Sequence, residues 1–413
     1  MRRRRRTTSL LLGLVLAGVA TSFAAPAVGA ASPDEIDSRP VRISAGPVTA
    51  PPTATPERRA LLQRRLDRLA VKEDLPGVSV AILFPDGSTW VGTSGMADIA
   101  TKRPVTADTA FALASVSKTF TAALIMALRD EGKIGLDTPV VRYLPALPID
   151  RRITIRQLLD HTSGLRDFFL DARIDKALLT DRGRVWDAAR SLRYVGRPYF
   201  KPGKGWHYSN TNYLILGLLA ERVGGAPLGD QLQARFFGPL GLTHTFDQVD
   251  AKPAGPVAHG YRFAPGHAAP IDLSDGSTVA PFTSVVTAAG GAGAIASTPT
   301  DLVFWARALY NGVVVSPGSV KAMFDDVRLT AKQDPAIPYG LGVQAIELDG
   351  HPAWGHSGRL LGFRALMRWL PNERMAIAVL SNQSRTDPAI IARSLLRLAL
   401  APAAGCPICR ADR

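Results

Sequence analysis

Cysteine is scarce in this sequence. Its 413 residues include 2 cysteines, Cys406 and Cys409, both near the C-terminus. No further metal ligands cluster around this Cys-x-x-Cys pair, and the strand and helix context of a thioredoxin-like redox motif is missing. We therefore expect either a minor disulfide in the tail or two free thiols, and no chemistry that depends on cysteine.

Two other absences narrow the function. The formal net charge is +14, but five of the positive charges lie in residues 2–6 and the others are spread out. Since no basic stripe with aromatic or motif context occurs, a nucleic-acid site is excluded, and the charge indicates solubility or attraction to an anionic cell envelope. No Gly-x-Ser-x-Gly occurs either, which disfavours a Ser-His-Asp α/β-hydrolase. His161 and His207 are therefore expected to be structural.

The first thirty residues have the order of an export signal. Five arginines are followed by an apolar run over residues 10–20 and then by small residues through Ala30 and Ala31. We expect a signal peptide over residues 1–30 and a secreted or extracytoplasmic protein that begins near Ala31. The apolar run is short for a membrane span, although an uncleaved anchor is the alternative. No cysteine follows it, so a lipoprotein is not expected.

The remaining chain reads as one domain between two flexible segments. Residues 31–54 are rich in Pro, Ala and Ser and indicate a linker, and residues 403–413 form a tail. Strand-like runs occur at 77–84, 88–93, 340–347, 361–369 and 375–380, and helix signals begin at Thr55 and Thr298. Residues 250–290, with many Gly, Pro and Ala, suggest a long surface excursion.

This pattern predicts an α/β fold of the α+β type within residues 55–402. An antiparallel sheet would form from the N- and C-terminal segments (55–112 and 296–402), flanked by helices, and residues 113–295 would be an inserted, mostly helical lobe.

The most informative motif is Ser115-x-x-Lys118 at the start of an apolar helix. Phe120, Leu124 and Leu128 recur at helical spacing behind it. A serine needs a base to become a nucleophile, and a lysine can be that base if its pKa is lowered. Free N–H groups at a helix start can stabilise an oxyanion. The simpler interpretation is a capping serine followed by a surface lysine.

Two further motifs follow in the chain. Tyr208-x-Asn210 lies at the start of a helix. A phenol near cations can ionise and transfer a proton. An Asn amide can hold a substrate amide while it orients a lysine. The alternative is an N-cap with a buried Tyr. Residues 353–359 contain His356-x-Gly358 just before a strand, where two glycines permit close approach to a ligand. The alternative there is a glycine bulge with a surface His.

In this order, the motifs resemble those of the penicillin-recognising serine hydrolases. The Tyr-Ser-Asn form is similar to class C β-lactamases and secreted D-alanyl-D-alanine carboxypeptidases, and His-Ser-Gly in place of Lys-Thr-Gly favours the carboxypeptidases. Residues 158–165, 290–297 and 339–342 match as well, so that the resemblance extends from about residue 57 to residue 400.

The resemblance implies a β-lactamase/transpeptidase-like fold, no metal and no organic cofactor. It implies that Ser115 is acylated, that Lys118 activates it and that Tyr208 relays protons. The oxyanion hole would be the backbone N–H groups of Ser115 and Arg359. The substrate-binding residues would be Asn210, His356, Ser357, Gly358 and Arg359. The pKa of Lys118 would have to be lowered by burial or by a neighbouring cation, and His356, if charged, is the nearest candidate cation. A Tyr208 phenolate would act in the opposite direction, so Lys118 and Tyr208 should titrate as a pair.

One departure leaves the substrate open. The carboxypeptidases carry an arginine for the substrate carboxylate on the strand before His-x-Gly, whereas residues 342–347 contain no cation; Arg359 could substitute. The leading hypothesis is an exported serine hydrolase, acting as a D-alanyl-D-alanine carboxypeptidase on cell-wall peptides. The alternatives are a class C-like β-lactamase, a carboxylesterase, or a catalytically idle penicillin-binding protein of the cell wall. We expect a monomer whose partner is a small-molecule or peptide substrate.

Overall fold

The computed structural model describes residues 52–263, 269–325, 327 and 338–402. The predicted signal peptide, the tail with Cys406 and Cys409, and nearly all of the predicted linker therefore lie outside the described residues.

Runs of strands lie near both ends of the described residues, and most of the helices lie between these runs. The strands are β1 (Gly77–Leu83), β2 (Thr89–Asp98), β3 (Arg103–Pro104), β4 (Phe111–Ala112), β5 (Phe246–Asp247), β6 (Tyr261–Arg262), β7 (Ile271–Asp272), β8 (Ile295–Ser297), β9 (Gln344–Leu348), β10 (His351–Leu360), β11 (Phe363–Leu370) and β12 (Met375–Ser381). The α-helices are α1 (Pro56–Lys72), α2 (Ser117–Asp130), α3 (Ile155–Leu159), α4 (Ile174–Thr180), α5 (Ala188–Leu192), α6 (Asn210–Gly224), α7 (Leu228–Leu232), α8 (Gly238–Leu240), α9 (Thr283–Ala289), α10 (Pro299–Tyr310), α11 (Pro317–Asp325) and α12 (Pro388–Leu400). Short 3₁₀ turns lie at Ala114–Val116, Val140–Arg142, Phe168–Leu170 and Gly290–Ala292, and a π-helical turn at Gln233–Phe237.

A seven-stranded antiparallel sheet joins the N-terminal and C-terminal segments, as predicted. Its strand order is β3-β2-β1-β12-β11-β10-β9, so that β1 lies beside β12 with Val80 opposite Val379. The helix starts predicted at Thr55 and Thr298 are confirmed, because each threonine caps its helix with its side-chain oxygen.

The two faces of the sheet carry different side chains. On β12, Met375, Ile377 and Val379 belong to the core shared with α1 and α12, and Ala376, Ala378 and Leu380 belong to the core shared with α2 and α10. Side chains of alternate residues point to opposite faces of a strand, so both faces of β12 are buried. The alanines let α10 pack close to the sheet, and Trp305 of α10 stacks on Phe120 of α2 with ring centroids 4.1 Å apart.

Two predictions about chain segments were wrong. Residues 250–290 are no simple surface excursion, because the helix α9 within them is buried, as are Tyr261 and Phe282. Small residues are typical of loops, but they also allow close packing. Residues 351–360, expected to precede a strand, are themselves strand β10. Gly355 and Gly358 lower strand propensity there, which hid the strand in the sequence.

The described residues contain no helix with the length and hydropathy that crossing a membrane requires. The division of residues 55–402 into two lobes at the stated boundaries stays a prediction.

We expect Ala378→Leu to destabilise the fold by about 1–3 kcal/mol, because the added methylenes would force β12 and α10 apart. Chemical denaturation followed by circular dichroism measures the change. Val71→Ala is the control, since Val71 is 83% exposed on α1 and its truncation should shift stability by about 0.5 kcal/mol or less. Equal unfolding midpoints for Ala378→Leu and the parent would contradict this account of the packing.

Candidate active site

Ser115 lies in a strained turn that leads into α2. It is the middle residue of the 3₁₀ turn Ala114–Val116, and Ala114 has a positive φ of 50°. A non-glycine residue in this region of φ costs free energy and often marks a functional site. Lys118 lies in the first turn of α2, fully buried, and its Nζ is 3.1 Å from Ser115 Oγ. The structure thus brings the two residues of the first motif into contact.

The Lys118 amine has three hydrogen-bond partners. Besides Ser115 Oγ, its Nζ donates to Asn210 Oδ1 at 2.7 Å and to the carbonyl oxygen of Ala292 at 2.7 Å. A neutral amine can keep the last two bonds with its two hydrogens. Its lone pair then faces the Ser115 hydroxyl, and this is the geometry needed to take the proton from Oγ.

Burial sets the protonation of Lys118. Removal of the amine from water lowers its pKa to about 7, and the Asp167 carboxylate opposes this shift. Of the two causes that the sequence leaves open, burial and a charged His356, burial accounts for the shift. Burial lowers the pKa of His356 well below its ordinary value, with the charge of Lys118 acting in the same direction, so His356 is neutral near pH 7.

Both ring nitrogens of His356 are engaged. Its Nδ1 lies 2.6 Å from the carbonyl oxygen of Ser357, which can only accept, so we assign the ring proton to Nδ1. The Tyr339 hydroxyl is then the donor to Nε2 at 2.9 Å. The His356 ring therefore supports the cleft wall and offers no cation to a substrate.

Tyr208 is present as a neutral phenol. Burial raises the pKa of Tyr208 above its ordinary value, and the neighbouring Ser115 hydroxyl opposes this only in part. A Tyr208 phenolate, the condition for the paired titration with Lys118, is therefore disfavoured near pH 7. Lys118 Nζ lies 5.1 Å from the Tyr208 ring centroid. The buried hydroxyl makes no hydrogen bond of normal geometry within the described part of the chain. It remains available as a proton donor at the site.

Sequence reasoning missed the role of His161 at this site. His161 has a positive φ of 65°, and its Nδ1 accepts hydrogen bonds from Ser209 N at 3.2 Å and Asn212 Nδ2 at 3.0 Å. Its ring packs against Tyr208 with centroids 4.3 Å apart. The histidine is structural, as expected, but the side chain that it supports is Tyr208. The position of His161 within the motif at residues 158–165 is the feature of the sequence that could have indicated this role.

The His356-Ser357-Gly358-Arg359 segment forms the free edge of the cleft. Strand β9 pairs with β10 only from His351 to Gly355. Beyond that point the edge of β10 faces the Ser115 turn so closely that a Cβ on Gly358 would lie 2.1 Å from the carbonyl oxygen of Leu113. Only glycine fits there. Ser357 N points outward to Gln344 Oε1 at 3.0 Å. Because N–H directions alternate along a strand, Arg359 N–H points to the same side.

A buried arginine lies beside this edge. Arg368 on β11 is opposite Gly355, which in turn is opposite Gln344. Since Gly355 has no side chain, the Arg368 guanidinium crosses it and Nη2 donates to Gln344 Oε1 at 2.8 Å. Burial lowers the pKa of Arg368 to about 10, which leaves it charged. Arg359, half-buried on β10, has Arg364 as its neighbour on β11.

One group of described side chains has the spacing of metal ligands: Asp98, His259 and Asp272. His259 Nδ1 is 2.8 Å from Asp272 Oδ2, and Asp98 Oδ1 accepts from the backbone N–H groups of Ala100 and Thr101. These contacts already explain the cluster as a link between β2 and the β6–β7 hairpin. It includes none of the candidate catalytic residues.

The fold and this arrangement of side chains define a hydrolase of the β-lactamase and penicillin-binding protein superfamily. The family model described as Beta-lactamase matches residues 59–401, and the chain belongs to this family.

Relatives with several activities resemble the chain. It is 32% identical over 336 residues to penicillin-binding protein 4 of Amycolatopsis lactamdurans, covering 78% of this chain and 84% of that protein. It is 29% identical to a D-aminopeptidase of Cereibacter sphaeroides, covering 82% of this chain and 63% of that protein. Among solved structures, D-amino acid amidase from Ochrobactrum anthropi SV3 aligns with a TM-score of 0.70 and 26% identity, covering 83% of this chain and 98% of that one.

The Lys118 geometry generates a pH prediction. Acylation of Ser115 should rise by about tenfold per pH unit at low pH and level off above about pH 7, because only the neutral amine accepts the proton. The second-order rate of labelling by a fluorescent penicillin, measured on both sides of neutrality, checks this. A labelling rate that does not change across that range would show that Lys118 is not the base.

Proposed function

We propose that the protein is an exported serine hydrolase that cleaves amide bonds through an acyl-enzyme on Ser115. The observation that carries this proposal is the contact of a buried amine of pKa about 7 with a serine hydroxyl at 3.1 Å. An amine with such a pKa is a base at neutral pH, whereas free lysine is almost wholly protonated there.

The proposed acylation uses the site residues as follows. Neutral Lys118 takes the proton of Ser115 Oγ while Oγ bonds to the substrate carbonyl carbon. The N–H groups of Ser115 and Arg359 stabilise the resulting oxyanion. The Tyr208 phenol then donates its proton to the leaving nitrogen as the amide bond breaks, and the Lys118 ammonium restores that proton. Water releases the acyl group in a second step through the same groups.

We place the substrate among peptides or amides of D-amino acids. Relatives named for penicillin binding, D-aminopeptidase activity and D-amino acid amidase activity support this class. Cell-wall peptides ending in D-alanyl-D-alanine are the candidate that the sequence motifs indicate. β-Lactams and esters are the alternatives on the same scaffold.

Gln344 favours a second candidate, the amides of D-amino acids. Its Oε1 accepts from Ser357 N at 3.0 Å, Ser357 Oγ at 3.3 Å and Arg368 Nη2 at 2.8 Å. The side-chain Nε2 is therefore the end of the amide that is left to donate to a substrate. The Arg368 charge is buried behind it and already bonded. Such a neutral donor suits an uncharged leaving group better than a carboxylate.

Export is proposed from the sequence alone, because the first thirty residues contain positive charges, then an apolar run and then small residues. The monomeric state likewise stays a prediction.

Intact-protein mass spectrometry after exposure to benzylpenicillin tests the function. We expect a covalent adduct that Ser115→Ala abolishes. Ser117→Ala is the matched control. Its hydroxyl accepts a hydrogen bond from Ile295 N at 3.1 Å and so serves the structure. An adduct that survives in Ser115→Ala would refute the nucleophile. A stable adduct favours an amidase or peptidase, rapid release a β-lactamase, and no adduct an esterase or an idle binder.

A matched substrate pair separates the two candidate leaving groups. N-acetyl-D-alanyl-D-alanine and its C-terminal amide differ only in the terminal charge. We expect the amide to have the higher kcat/KM. Gln344→Glu keeps an acceptor for Arg368 and Ser357 but replaces the Nε2 donor with a negatively charged oxygen, so it should increase the preference for the amide. A parent enzyme that prefers the free acid would restore the carboxypeptidase as the better description.

A further inference from the structure

We propose that Asp167 is a positioning residue for the proposed reaction. Its carboxylate fixes the Asn210 amide so that Oδ1 faces Lys118, and its negative charge holds the proton on the Lys118 amine. The inference rests on the proposed role of Lys118 as the base.

Asp167 is linked to the amine through one side chain. Lys118 Nζ donates to Asn210 Oδ1 at 2.7 Å, and Asn210 Nδ2 donates to Asp167 Oδ2 at 2.7 Å. All three residues are buried, and Asp167 is 2% exposed. A buried series of hydrogen bonds that ends on a carboxylate is costly unless each member is satisfied.

The carboxylate is itself firmly held. Oδ2 also accepts from Asn210 N at 3.1 Å, and Oδ1 accepts from Phe169 N at 3.0 Å. Burial raises the pKa of Asp167, and these N–H groups and Lys118 oppose the shift. In each of these bonds Asp167 is the acceptor, as an ionised carboxylate must be.

This arrangement decides which way the Asn210 amide faces. The oxygen and nitrogen ends of an Asn side chain have nearly the same shape, so hydrogen bonds must select one orientation. Because an ionised Asp167 only accepts, it draws Nδ2 toward itself and leaves Oδ1 for Lys118. In the reversed orientation, an N–H group would face the amine and disturb its alignment with Ser115 Oγ.

Asp167 is also the ionised group that acts on Lys118. The other titratable side chains around the amine are His161, His356, Tyr208 and Tyr213. Burial lowers the pKa of both histidines and raises the pKa of both tyrosines, so all four are neutral near pH 7. Among the described residues, Asp167 is the group that opposes the effect of desolvation on the Lys118 amine. Loss of its charge should therefore let Lys118 lose its proton at a lower pH.

Two variants separate the charge from the orientation. Asp167→Asn removes the charge and keeps one oxygen, which can accept from Asn210 N and Nδ2 while its NH2 group turns toward Phe169 N. Asp167→Ala removes the charge and both oxygens. In each, the rising limb of the acylation rate should move to lower pH by about one unit. The plateau rate should fall little in Asp167→Asn and by about tenfold or more in Asp167→Ala, because the Asn210 amide is no longer fixed.

Asp247→Asn is the matched control. Asp247 is also a buried carboxyl, with its pKa raised by burial to about 6, and it accepts from Val249 N at 2.9 Å. Its replacement should leave the rising limb where the parent has it. An unmoved limb in Asp167→Asn, or an equal shift in Asp247→Asn, would overturn the proposed charge effect.

A second measurement does not depend on activity. Carbon-13 NMR of labelled lysine in a Ser115→Ala background, assigned by loss of the signal in Lys118→Met, reports the titration of Lys118 directly. We expect its midpoint to fall when Asp167→Asn is added. A parent enzyme that no probe acylates would refute the proposed function, whereas an unchanged Lys118 midpoint would refute the role of Asp167. The two failures are therefore distinguishable.

Discussion

Burial of the Lys118 amine constrains much of the surrounding structure. An amine removed from water needs hydrogen-bond partners in fixed positions, and three separate segments supply them. These are the turn before α2, the start of α6, and the turn Gly290–Ala292. The last two segments can approach each other because residue 291 is a glycine. A Cβ at that position would lie 2.7 Å from the carbonyl oxygen of Tyr213, which is too close. The fold thus keeps these segments in contact around one side chain.

Close approach of backbone segments also determines the opposite side of the site, where strand β10 lies. Strand β10 approaches the Ser115 turn only because Gly358 has no side chain, and Arg368 reaches Gln344 only because Gly355 has none. The two glycines of the third motif therefore have different tasks. One brings two backbones together at the proposed oxyanion hole. The other lets the Arg368 side chain cross strand β10 and reach Gln344.

The sequence was sufficient to predict the sheet and the contact of Ser115 with Lys118, because hydrophobic periodicity and local motifs encode them. It did not reveal β10, whose glycines weaken the strand signal, or the roles of His161 and Asp167. The ionisation states of His356 and Tyr208 were left conditional, because the sequence could not decide them. Those states depend on burial by residues distant in the chain, such as Tyr339 above His356, and no local pattern records that burial.

The pairing of β1 with β12 has a consequence for the order of folding. Val80 and Val379 are neighbours in the sheet but are separated by most of the domain in sequence, and contacts of such long range form slowly. Until β12 is made, β1 exposes an unpaired edge that can join other chains. The Ser115 turn likewise waits for β10 to complete its cleft. A ribosome-bound or truncated chain would therefore carry the serine and the lysine without a working site, and catalytic competence would mark the end of folding.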